Sequence, residues 1–359
     1  MIKPHALKKG DKVAIVSLSG GMLGESFCKH DIALGKKRLQ EFGLEAVFMP
    51  NSLKGIAFLR DNPEARADDL KEAFSDNSIA GIVCAIGGVD TYRLLPFLMD
   101  DPVFVENVRK SPKIFTGFSD STVNHLMFYK LGLMTYYGPN FINDLAELAN
   151  DMLPYTKDAF LRYFDSSIDA PIKPSSVWYD ERTDFSPNSI GTDRNKHDER
   201  HGFELLQGNN TFSGKLFGGC LDTFMDIFTG CDNQDAPSYI ERYQLMPTAE
   251  DWRDIILFLE TSENCMPPEK LEAALAEFER RNILGAIRGI IVGKPQNEKY
   301  YDEYKAVYKR VLSKYAALPV LYNVNFGHAY PRTVLPYGAD VTVNAELQEI
   351  SVRERIVED

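Results

Sequence analysis

The sequence predicts a mixed α/β protein in two parts, a mostly parallel sheet clothed by helices followed by a mixed region with an antiparallel end. Three observations carry that reading. Apolar runs at 12–18, 79–86 and 113–118 alternate with helical patterns, the order that yields parallel strands covered on both faces. These runs end in small residues, Ser19-Gly20-Gly21, Gly87-Gly88 and Gly117-Phe118-Ser119, where open α/β sheets place their functional crevice. At 359 residues, 44% of them hydrophobic, the chain is long enough for two cores.

Taken in order, 12–21 reads as a buried strand running into a small-residue loop. A helix bearing Ile32, Leu34, Leu39 and Phe42 follows, then a strand at 44–50 and a helix over 62–74 rich in Arg, Asp, Glu and Ala. The strand at 79–86 ends at Gly87-Gly88, and a helix is expected over 91–98. The run Lys113-Ile114-Phe115-Thr116-Gly117-Phe118-Ser119-Asp120-Ser121-Thr122 is a strand, a sharp turn and the start of a helix whose apolar residues continue through Tyr129. Strand 134–139 and a last helix over 158–164 close the first part.

From 170 to about 210 the pattern breaks into Pro, Ser, Asn, Asp, Arg and His, interrupted by Val177-Trp178-Tyr179. A polar stretch of that length inside a compact protein reads as a linker that also borders the active site. The second part opens at Phe212, carries a buried strand 254–260 with an acid at its end, a helix over 268–281, a strand 289–293 and a helix over 304–315. It ends with the run 318–328, a proline-containing turn and alternating segments at 339–344 and 347–352. The expected domains are 1–165 with the nucleophile, 166–211 as linker and active-site loop, and 212–359.

A net charge of −12 opposes nucleic acid or anionic membrane as a partner, since both require a basic footprint. The N-terminal residues lack an apolar core and a small-residue cleavage site, and no stretch approaches the ~18 consecutive apolar residues of a membrane helix. A cytoplasmic protein is the expectation. Cys28, Cys84, Cys220, Cys231 and Cys265 are odd in number and scattered, which suits reduced thiols better than a disulfide framework or a metal site; no cofactor and no metal are expected.

The chemistry centres on Ser119. A serine on a strand-to-helix turn has its hydroxyl pushed out of the sheet while the new helix presents backbone N–H groups to developing negative charge. The blander reading makes Ser119 or Asp120 a helix cap. A serine nucleophile needs a base, most often a histidine oriented by a carboxylate. Among six histidines, His328 alone ends an apolar strand and follows a glycine; Glu260 ends the run 255–259. Ser119 would then lie on the first domain and Glu260 and His328 on the second, with the site in the cleft between them. The oxyanion needs two backbone donors: the amide of Asp120 supplies one, and Gly87-Gly88 supplies the other unless it is a plain turn. Trp178 is a candidate for stacking on a nucleobase, against the alternative that it anchors its loop.

The set Ala85-Ile86-Gly87-Gly88-Val89-Asp90 through Arg93-Leu94-Leu95, Gly117-Phe118-Ser119-Asp120, Gly218-Gly219-Cys220-Leu221, Leu257-Phe258-Leu259-Glu260 and Gly327-His328 resembles the LD-carboxypeptidase family of serine peptidases over nearly the whole chain. Gly218-Gly219-Cys220-Leu221, Glu260-Thr261-Ser262-Glu263 and Trp178-Tyr179-Asp180-Glu181 are more similar to its microcin immunity branch. The resemblance implies a triad of Ser119, His328 and Glu260, an oxyanion hole from the Gly88 and Asp120 amides, a flavodoxin-like first domain, a mixed β-rich second domain, a homodimer and no metal. The implied reaction is hydrolysis of an amide between an aminoacyl group and a nucleotide-like moiety, so the partner is a small peptide or peptidyl-nucleotide. The alternatives are removal of a terminal D-amino acid from a murein tetrapeptide and, in another class, a non-catalytic protein that binds a small ligand. A dinucleotide-binding enzyme is disfavoured because Leu18-Ser19-Gly20-Gly21-Met22-Leu23-Gly24 lacks the Gly-x-Gly-x-x-Gly spacing.

Overall fold

The computed structural model describes residues 1–167 and 171–359. In chain order the strands are β1 (Lys12–Val16), β2 (Glu45–Phe48), β3 (Ile79–Cys84), β4 (Ile114–Gly117), β5 (Tyr136–Tyr137), β6 (Val177–Tyr179), β7 (Lys196–Asp198), β8 (Glu204–Gln207), β9 (Thr211–Cys220), β10 (Ile255–Glu260), β11 (Gly289–Gly293), β12 (Val320–Val324), β13 (Leu335–Pro336), β14 (Asp340–Asn344) and β15 (Glu349–Val352).

The first sheet runs β13-β5-β4-β3-β1-β2. Strands β1 to β5 are parallel and follow the flavodoxin-like order 2-1-3-4-5, whose switch point lies between β1 and β3. β1, β3 and β4 are buried almost throughout, as strands covered on both faces must be. The second sheet runs β15-β14-β9-β10-β11-β12-β8, with β9 to β12 parallel and antiparallel strands at both edges. The fold is thus the expected mixed α/β architecture.

Local differences have local causes. The helix expected over 62–74 begins anew at Pro63, after the short helix Ile56–Asp61, because proline is accepted in a first turn but not in a helix interior. Pro102–Lys110 is a further helix, capped by the Asp101 side chain, which accepts from the amides of Val103 and Phe104. The irregular stretch from 170, whose first residue Ala170 lies outside the described residues, carries the β6–β7 ribbon and β8, the latter an edge of the second sheet. β13 returns from the second part to pair with β5.

The two sheets share one hydrophobic core. An aromatic group joins them behind the turn at Ser119: the Tyr137 ring lies 5.5 Å from Phe258 and 6.4 Å from Tyr337, and Phe258 lies 5.1 Å from Tyr337. Such packing fixes the end of β4 against the end of β10. No helix among the described residues is long and apolar enough to cross a membrane.

Candidate active site

Ser119 follows β4 at the entry to the helix Thr122–Leu131. Its φ is +67°, a left-handed conformation that costs a non-glycine residue roughly 1–2 kcal/mol. Two contacts hold it there. The Ser119 amide donates to the Tyr137 hydroxyl at 3.0 Å, and the Thr122 hydroxyl donates to the Ser119 carbonyl at 2.7 Å.

Glu260 terminates β10 and is buried. Its Oε2 lies 2.8 Å from His328 Nδ1 and accepts the His328 amide at 3.2 Å, while its Oε1 accepts the Tyr137 hydroxyl at 2.5 Å. One phenol therefore links the backbone of Ser119 to the carboxylate that orients His328. Gly327 has φ +77°, and a Cβ there would stand 2.4 Å from Glu260 Cδ, so only glycine lets the chain deliver His328 to this carboxylate.

The far nitrogen of the imidazole is also occupied. His328 Nε2 stands 3.0 Å from Oε2 of Glu263, an exposed side chain on the loop after β10. Burial works against a charged imidazole here, but Glu260 and Glu263 outweigh it and push the His328 pKa up to about 10. Phe118 abuts the ring edge-on at 5.0 Å.

On the other side of the serine, a Cβ at Gly87 would stand 2.7 Å from Ser119 Cβ and 3.0 Å from its Oγ, so the glycine is needed for this approach. Asp120 is buried and its Oδ2 accepts the Ser19 hydroxyl at 2.6 Å and the Thr91 amide at 2.9 Å. Ser19 Oγ in turn accepts the Val89 amide at 3.0 Å, so the Asp120 side chain braces the loop bearing Gly88. Burial raises the Asp120 pKa to about 6 against those hydrogen bonds. Among the described residues the Gly88 amide has no protein acceptor.

A cleft of about 400 Å³ opens at this point, bounded by Gly87, Gly88, Ser119 and His328, with Phe185 and Arg332 among its other walls. The structure thus brings Ser119, His328 and Gly88 to one cleft, with Glu260 behind the imidazole. Trp178 is not on the lining: it is buried with its ring stacked 4.0 Å from His197, a face already taken. His125 is a core histidine, bonded to Thr135 and the Gly117 carbonyl, its pKa driven down to about 3 by burial. Cys220, Glu260 and His328 set three potential metal-ligand atoms within 4.8 Å of one another. Burial, with Glu260 and Asp222 nearby, raises the Cys220 thiol well above its ordinary value.

Sequence reasoning missed Tyr137, Arg332 and Glu263. Arg332 is fully buried, pairs with Asp144 at 2.9 Å and lies over the Phe118 and Tyr330 rings at 4.3 and 4.1 Å. Its signal was an arginine four residues after the candidate base; Glu263 stood in a motif quoted for the resemblance but was given no role, and Tyr137 gave none beyond position next to a strand end.

Known proteins resemble this chain over nearly its whole length. Residues 13–138 match the LD-carboxypeptidase N-terminal domain and residues 213–343 the LD-carboxypeptidase C-terminal domain. An MccF-like protein from Streptococcus pneumoniae, solved in complex with AMP, is 44% identical, with a TM-score of 0.91 over 95% of this chain and 98% of that one. The microcin self-immunity protein MccF of Escherichia coli is 26% identical over 99% of this chain and 98% of its own length. A Bacillus subtilis protein named "Probable murein peptide carboxypeptidase" is 27% identical over 95% of this chain and 91% of its own. The chain belongs to the LD-carboxypeptidase family of peptidases, and within it to the branch that resembles the microcin immunity proteins.

Proposed function

We propose that this chain is a serine peptidase or amidase whose triad is Ser119, His328 and Glu260, and that it cleaves the amide between an aminoacyl group and a nucleotide-like moiety. The observation that carries the reading is the buried Glu260–His328 pair at 2.8 Å, opening on the cleft that also exposes Ser119. Ser119 Oγ attacks the carbonyl as His328 Nε2 takes its proton; the imidazolium, held in register by Glu260, then protonates the leaving nitrogen as the C–N bond breaks. Water, deprotonated by the same imidazole, releases the acyl group. The amides of Gly88 and Asp120 receive the negative charge of the tetrahedral intermediates, and the Gly88 amide has no competing protein acceptor among the described residues.

Support for a nucleotide-like leaving group comes from the relative solved with AMP and from the fold shared with MccF, which has been solved with aspartyl sulfamoyl adenosine. The B. subtilis relative supports a second reading, carboxypeptidase action on a murein peptide. The proposed enzyme works as a homodimer, as the family resemblance implies, in the cytoplasm. Incubation with aspartyl sulfamoyl adenosine and, separately, with a murein tetrapeptide, followed by mass spectrometry, decides between the two. Release of sulfamoyl adenosine supports the first reading and release of D-alanine the second. Turnover of neither, with no labelling of Ser119 by a fluorophosphonate, would leave a ligand-binding protein without this chemistry.

A further inference from the structure

Glu263 sits where two spaces meet. It lines the 400 Å³ cleft and also a smaller recess of about 100 Å³ that shares Gly88, Val89 and Ser119 with it. The recess walls include Ser119, Asp222, Asp226, Asp232 and Glu263, and no lysine or arginine lines it. Asp226 accepts from the amides of Asp232 and Asn233 and from the Asn233 side chain, and Asp222 accepts the Ser262 amide through one oxygen. Glu263 differs: the partner of its carboxylate is the His328 imidazole, at 3.0 Å, the group that must be free for Ser119 to react.

We propose that Glu263 is a specificity-determining residue that receives a protonated amine on the acyl half of the substrate, and that this exchange releases His328 Nε2 to serve as base. The inference rests on the triad reading above and adds the class of acyl group: one with a free amino group close to the scissile carbonyl. Charge and proton balance close without another reactant. Before binding, two carboxylates hold one imidazolium; afterwards the ammonium pairs with Glu263, the imidazole gives its Nε2 proton to water, and the charge within the site is unchanged. At about 100 Å³ the recess is about a quarter the size of the cleft. That suits an aminoacyl head, leaving the larger cleft, with Phe185 and Phe118 on its walls, for the leaving group.

The test compares aspartyl sulfamoyl adenosine with its des-amino (succinyl) and N-acetyl counterparts on wild type and Glu263→Gln. Wild type is expected to prefer the free amine in kcat/KM by about 10- to 100-fold, the span of a charge-assisted hydrogen bond. Glu263→Gln should narrow the preference to about twofold. An ¹⁵N NMR titration of His328 should show its pKa falling in Glu263→Gln and, in Ser119→Ala, on adding the amino compound but not the succinyl one. Equal preference in both proteins, or a His328 titration that ignores residue 263, overturns the proposal while leaving the triad standing. If wild type cleaves none of the three, calorimetry on Ser119→Ala takes over: amine-dependent binding lost in Ser119→Ala/Glu263→Gln sustains the role of Glu263 and removes only the reaction. No amine-dependent binding removes both.

Discussion

Tyr137→Phe removes one oxygen and tests how the site is held together. The hydroxyl is fully buried, accepts the Ser119 amide at 3.0 Å and donates to Glu260 at 2.5 Å. The ring stays, so its packing against Phe258 and Tyr337 is preserved and only the polar bridge is lost. A hydrogen bond to a charged group contributes about 1.5–3 kcal/mol and a neutral one about 0.5–1.5 kcal/mol, so the variant should lose roughly 2–4.5 kcal/mol of stability. The functional loss has a separate origin. The Ser119 backbone gives up a contact that maintains φ +67°, and Glu260 gives up the donor that fixes the oxygen not engaged by His328. Misplaced catalytic groups cost on the order of 100-fold, so kcat should fall by about that factor with little change in KM. Urea denaturation measures the first quantity and steady-state turnover the second. A variant that loses under about 1 kcal/mol and retains wild-type kcat would refute the view that this phenol couples nucleophile to carboxylate.

Ser119→Ala and Ser119→Gly should both abolish turnover, but the glycine variant should be about 1 kcal/mol more stable in urea titration, because glycine occupies φ +67° without penalty. Gly87→Ala should cut kcat at least 100-fold by pushing on the serine, read by turnover and by slowed fluorophosphonate labelling. Arg332→Ala strands the buried Asp144 carboxylate and should cost about 3–5 kcal/mol, and adding Asp144→Ala should cost far less than the two losses combined. His328 is raised from an ordinary 6.5 to about 10, so its pairing stabilises the fold fully below about pH 6.5 and that contribution fades as pH rises through about 10. The gap in urea midpoint between wild type and His328→Gln should therefore narrow between about pH 6 and pH 10; a constant gap contradicts the raised pKa.

That Ser119, Glu260 and His328 stand at or just after strand ends was legible because each has a local signal, a hydroxyl on a strand-to-helix turn, an acid at the end of an apolar run and an imidazole after a glycine, and their catalytic roles are the proposal made above. What the sequence withheld were partnerships across the chain. Tyr137 lies in a two-residue strand that reads as core, and its hydroxyl acquires a role only when β5 is laid beside β4 and the second sheet arrives. Ser19 and Asp120 are 101 residues apart, and nothing local tells that one hydroxyl braces the Gly88 loop through the other's carboxylate. Trp178 shows the converse: a polar stretch around an indole suggested an open stacking face, but the antiparallel pairing of β6 with β7 sets His197 opposite it and fills that face.

The division between two sheets explains why so much of the site is fixed and one part is not. Ser119 follows the carboxyl end of β4, Glu260 ends β10 and His328 follows β12, so the three come from strand ends of two parallel arrays that face one another. Aromatic packing between the sheets and the return of β13 to β5 tie the strand ends that carry them to one core, and the turn at Gly327 delivers His328 to Glu260. Glu263 alone among the groups touching His328 is an exposed side chain on a loop. A device that must hold the base at rest and release it on demand has to be built from the part of the site that packing does not immobilise. The loop after β10 is that part, and it is also the part that reaches the acidic recess. On the proposed mechanism, selection of the acyl group and release of the base would converge on Glu263, the exposed carboxylate beside the imidazole.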